Sequence, residues 1–101
     1  MTPKEIYDAA LLEVNSLRQR LSMGPLSALP KGIPGDGGNC PIQRALHCII
    51  IEDSSIEWNC YEDAEALGAH GGYSIPTPLA LVAFIAAFDD GEFPDLVESE
   101  T

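Results

Sequence analysis

The stretch CIIIEDSSIEWNC, residues 48–60, decides the fold class. Ile49, Ile50 and Ile51 are β-branched, and Ile56, Trp58 and Cys60 alternate with Glu57 and Asn59, the period of a half-buried strand. Glu52, Asp53, Ser54 and Ser55 between the two runs are turn formers, so 48–60 reads as an antiparallel β-hairpin. Two strands alone are marginal in water, and this pair therefore requires a helix beneath it. The flanking sequence supplies helices, and the chain reads as α+β.

Upstream, Thr2 serves as a helix cap, Pro3 suits the first helical position, and Glu5 closes a capping box. Ile6, Ala10, Val14, Leu17 and Leu21, with Tyr7 and Leu11 beside them, recur at intervals of three and four. That spacing predicts one apolar stripe on a helix over 3–22. Gly24, Pro25, Pro30, Gly32, Pro34, Gly35, Gly37 and Gly38 then break regular structure across a Pro/Gly-rich loop at 23–39. Leu26, Leu29 and Ile33 are spaced to hold that loop against the core. Asn39 or Cys40 caps a short second helix beginning at Pro41, with Ile42, Ala45 and Leu46 facing inward.

Downstream of the hairpin, 61–67 predicts a short helical turn stopped at Gly68, and 70–73 a loop or a short extra strand. Thr77 and Pro78 open the last helix, over 78–88, which ends near Asp89 and Asp90 ahead of Gly91. Leu79, Leu81, Val82, Phe84, Ile85 and Phe88 make it apolar on nearly every side. Such a helix is either the central buried element or has one face covered by a partner. Asp89 and Asp90 oppose its dipole, a local cost that marks a place to look for function. Phe93, Leu96 and Val97 dock the C-terminal segment, and 97–101 frays.

With 101 residues, 46% hydrophobic and 21% charged, the chain is one domain, 1–101, with a modest core, outside the class that stays disordered. Lys4, Glu5 and Asp8 among the first apolar positions are unlike an export signal. The longest apolar run, 79–88, rises about 15 Å as a helix against a hydrocarbon core of about 30 Å, so it cannot span a membrane. Three cysteines, Cys40, Cys48 and Cys60, lack the spacing of a disulfide scaffold and read as reduced thiols in a cytoplasm.

Charge is divided unevenly. Lys4, Arg18, Arg20, Lys31 and Arg44 are all the basic residues, and none lies beyond position 44. Glu52, Asp53, Glu57, Glu62, Asp63, Glu65, Asp89, Asp90, Glu92, Asp95, Glu98 and Glu100 follow with no local base to pair. Such a field repels nucleic acid, because a phosphate-binding surface needs more than Arg18 and Arg20. It draws in a basic protein surface, or else only keeps the molecule in solution.

Four motifs invite chemical readings. Cys40 at a helix N-terminus is placed to lose its proton more easily, yet Arg44 and His47 lie one and two turns on, and about 10 Å is too far for a Cys/His nucleophile pair. A capping role for Cys40 is the stronger reading. Cys40, His47, Cys48, Cys60 and His70 lack the paired spacing of a zinc site, although Cys48 and Cys60 bracket the hairpin and could face each other. Gly32, Gly35, Gly37 and Gly38 ahead of Pro41 resemble a phosphate cradle without the Lys-Ser/Thr ending or preceding strand of one, and read as a connector. The acid pairs Asp89 and Asp90, Glu62 and Asp63, and Glu52 and Asp53 read as solvated surface rather than acid-base machinery. No metal, cofactor or catalytic residue is assigned.

Three blocks, Leu29-Pro30-Lys31-Gly32-Ile33-Pro34-Gly35-Asp36, Cys40-Pro41-Ile42-Gln43-Arg44-Ala45-Leu46 and Phe84-Ile85-Ala86-Ala87-Phe88-Asp89-Asp90-Gly91-Glu92-Phe93-Pro94-Asp95-Leu96, cover about a third of the chain. They resemble small uncharacterised acidic proteins encoded by phages of actinobacteria. The resemblance implies a phage accessory protein in the host cytoplasm, acting on a host protein, and carries over no activity. The expectation is therefore a non-enzymatic interaction module that binds a basic surface of a host protein, as an inhibitor or a nucleic-acid mimic. Glu57, Glu62, Asp63, Asp89, Asp90 and Glu92 are the expected contacts, with Trp58 and Tyr61 as aromatic anchors. The alternatives are a virion or assembly component that self-associates through 78–88, and a thiol enzyme or redox protein built on Cys40.

Overall fold

A computed structural model describes residues 2–35, 39–48, 50–51, 54–58, 60–69 and 74–98, with the backbone alone at Ile50 and Tyr61. The fold is α+β. Helix α1, Pro3–Arg20, is capped by Thr2, whose hydroxyl accepts from the Glu5 N–H at 3.2 Å while the Glu5 carboxylate accepts from the Thr2 N–H at 3.1 Å. The expected capping box is present. The helix ends two residues before the expected boundary, because Ser22 turns into the left-handed region at φ 61°. The Met23 N–H then reaches the Arg18 carbonyl at 2.8 Å and the Ser22 N–H the Gln19 carbonyl at 3.1 Å, the paired bonds of a Schellman end. That position usually carries glycine, and a serine there hides the stop from a reading of the sequence.

Helix α2, Pro41–Leu46, is capped by the Cys40 sulfur, which accepts from the Gln43 N–H at 3.3 Å. Strands β1, Ile50–Ile51, and β2, Ser55–Glu57, form the expected antiparallel hairpin, with Ile51 opposite Ile56. A third strand, β3, Ser74–Pro76, adds antiparallel to β2 with Ile75 opposite Ile56. Its three residues end at a proline on the sheet edge, a signal too short for the pattern to register. Residues 70–73, expected as a loop or a short extra strand, lie outside the described residues. Between β2 and β3, helix α3, Tyr61–Ala66, stops at Gly68 as expected.

Helix α4, Leu79–Asp89, is the central element. Leu81, Phe84 and Phe88 are fully buried, and its main neighbour is α1. Tyr7 of α1 packs against Phe84 at 6.5 Å between ring centroids and against Phe93 at 6.2 Å, and Phe84 stacks on Phe93 at 4.9 Å. Aromatic pairs in this range contribute about 0.5–1.5 kcal/mol each beyond the area they bury. Among the described residues no helix is long and apolar enough to cross a membrane.

The described part of the long loop is held down at several points. The Asn15 side chain bonds both the N–H and the carbonyl of Leu26, the Tyr7 hydroxyl accepts from the Leu29 N–H at 2.9 Å, and Leu29 itself is buried. Gly32 forms a parallel bridge with Val97, donating to the Leu96 carbonyl and accepting from the Glu98 N–H, each at 2.8 Å. Val97 and Glu98 are therefore fixed rather than frayed, a correction to the expected tail; 99–101 lie outside the described residues. A Cβ on Gly32 would stand 2.5 Å from the Asn39 carbonyl oxygen and 2.6 Å from the Pro41 ring, so only glycine fits this crossing.

Two substitutions in this frame have opposite signs. Gly32→Ala forces backbone apart and lowers stability by about 1–3 kcal/mol, within the range of overpacking costs. Ser22→Gly removes left-handed strain and raises stability by about 1 kcal/mol. Urea denaturation of both variants measures the two shifts.

Candidate functional site

Each basic side chain has a place in the fold, except that Lys31 shows no ion-pair partner among the described residues. Lys4 pairs with Asp8 at 2.7 Å. Arg18 donates to the Gly24 carbonyl at 2.7 Å and to the Ala45 carbonyl at the end of α2. Arg20 reaches the Ala66 carbonyl at the end of α3, at 3.4 Å. Arg44 donates to the Lys31 carbonyl at 2.9 Å and to the Asn39 amide oxygen at 3.4 Å, and pairs with Glu98 at 2.7 Å. Two arginines thus satisfy carbonyls at helix C-termini, where cations also suit the dipole.

The acids are left without that compensation. Among the described residues, Glu98 alone beyond position 44 has a basic partner. Glu57, Glu62, Asp63, Glu65, Asp90, Glu92 and Asp95 are exposed. They fall into separate groups. Glu62, Asp63 and Glu65 project from α3, which lies at the Arg20 end of α1, and Glu57 lies on β2 on the face opposite buried Ile56. Asp89 is the last residue of α4, Asp90 its cap, and Glu92 precedes Phe93. The expected contact residues therefore stand on three different elements, β2, α3 and the end of α4, rather than on one.

The two groups differ in what they do locally. Glu62 and Asp63 sit in the first turn of α3 and suit its dipole, whereas Asp89 and Asp90 end α4 against it. Asp89 has a structural reason: its carboxylate accepts from the Gly35 N–H at 2.8 Å and ties the long loop to α4. No signal in the sequence links positions 54 residues apart, so this contact escapes a linear reading. Glu65 joins the α3 group as an exposed acid that the sequence reading left out of the contact set.

Trp58 is not a surface anchor. It is 1% exposed and belongs to the core, which corrects the expectation. The alternation that predicts a strand already sets Trp58 on the same face as Ile56, and Ile56 is fully buried. Its indole Nε1 has no hydrogen-bond partner among the described residues. The side chain of Tyr61 lies outside them.

The chemical candidates resolve into structure. Cys40 is buried and caps α2, Cys48 is buried, and Cys60 is exposed, so Cys48 and Cys60 do not face each other across the hairpin. His47, at φ 57°, ends α2 on the surface, and His70 lies outside the described residues. Among the described residues no group of three or more His, Cys, Asp or Glu is placed to hold a metal ion. The Gly32, Ile33 and Gly35 N–H groups donate to the Leu96 carbonyl, the Asn39 carbonyl and the Asp89 carboxylate, so these amides are not aimed at an external anion. Gly37 and Gly38 lie outside the described residues. No family model, curated protein or solved structure matches the chain.

Burial, reinforced by the neighbouring Cys40, pushes the Cys48 thiol from its ordinary 9.0 up to about 12. The folded state therefore keeps a proton that the unfolded chain releases. The resulting stability is complete below pH 9 and is lost as pH rises towards about 12. Denaturation midpoints followed across that window fall with a slope of at most about 1.4 kcal/mol per pH unit from this group, and Cys48→Ala flattens the slope. In a thiol titration of the native protein, Cys60 reacts first and Cys40 and Cys48 react on unfolding. At the end of α4, Asp89→Ala lowers stability by releasing Gly35, while Asp90→Ala raises it by about 0.3–1 kcal/mol through relief of the dipole; thermal melts separate the two.

Proposed function

We propose that the protein is a non-enzymatic acidic interaction module, working in a cytoplasm, that docks on a basic surface of another protein. The observation that carries this reading is the division of charge. The arginines donate to backbone carbonyls, and among the described residues every acid beyond position 44 except Glu98 faces solvent without an ion-pair partner. A surface of this kind speeds encounter with a positively charged partner and rejects polyanions. The α3 group with Glu57 is the favoured contact surface, because Asp89 in the other group is occupied by Gly35. The resemblance to acidic phage proteins implies a partner in a host cell, as a protein to be inhibited or a nucleic-acid-binding protein whose ligand is imitated.

Immobilised protein tests this against a cell lysate at stepped ionic strength. A basic protein is retained at low salt and released as the screening length falls from about 30 Å at 0.01 M to about 8 Å at 0.15 M. Combined Glu57→Gln, Glu62→Gln, Asp63→Asn and Glu65→Gln substitution reduces retention more than combined Asp90→Asn and Glu92→Gln. Retention indifferent to salt and to both sets of substitutions overturns the proposal.

A second reading is self-association through α4, favoured by Leu79, which is 85% exposed and shares a helix face with the exposed Ala83 and Ala86. Here salt acts in the opposite direction, since screening relieves repulsion between copies of formal charge -11. Sedimentation over a concentration series at low and high salt expects association that strengthens with salt. A monomer at every concentration and salt level rejects it.

A further inference from the structure

We draw no further inference here: the strongest candidate, an open cleft of about 400 Å³ between the outer face of α1 and the turn after it, lined by Leu12, Asn15, Ser16, Gln19, Met23 and Pro25, is an unpartnered face, and nothing in the structure shows what covers it.

Discussion

The contact on which the molecule depends is made by Tyr7. Its ring packs on Phe84 of α4 and on Phe93 beyond it, and its hydroxyl accepts the Leu29 N–H from the long loop. One side chain near the start of the chain thereby fixes the pairing of the two longest helices, the course of the loop and the return of the C-terminal segment. The aromatic faces supply the non-directional part of this, and the hydroxyl supplies the direction. Phe84 and Phe88 are fully buried and Phe93 nearly so, and they share one core cluster with Ala10, Val14 and Leu17 of α1. The three-stranded sheet and α2 extend it through Ile42, Leu46, Ile56 and Trp58.

From that end the loop is drawn across the surface by polar contacts in sequence: Asn15 to Leu26, Tyr7 to Leu29, Leu96 and Glu98 to Gly32, and Asp89 to Gly35. The arginines complete the arrangement by donating to carbonyls that the helix ends and the loop leave open. The consequence for the surface is electrostatic. The arginines keep their charge in these contacts, but apart from Arg20 beside α3 and Arg44 beside Glu98 none is shown against the C-terminal half, whose described acids stay exposed as a linear charge count suggests. Folding distributes that anionic exterior over β2, α3 and the end of α4, which a linear count does not describe.

Much of the architecture was legible along the chain. Thr2, Pro3 and Glu5 spell the start of α1, Pro41 and Cys40 the start of α2, Gly68 and Gly91 the ends of α3 and α4, and the residues of 48–60 the hairpin. These are local signals, each contained within a turn or a few residues of strand. The misreadings share a different character. Ser22 stops α1 without a glycine, β3 is three residues long and ends in proline, and Val97 with Glu98 is held by a strand partner at Gly32. Trp58 differs from these, since its alternation with Glu57 and Ile56 is itself a local signal and points inward, as its burial bears out.

The sequence by itself determined the secondary elements, the α+β class, the apolar character of α4 and the sign of the C-terminal charge, because each depends on residue type and on spacing within one element. Only the tertiary structure decided that Gly32 is a crossing point, that Asp89 anchors Gly35, and that Arg44 joins the loop to the C-terminal segment. Each of these rests on groups far apart in the chain and close in space. Such contacts are set by how the apolar faces of α1 and α4 pack, and no periodicity within either helix encodes the partner it meets.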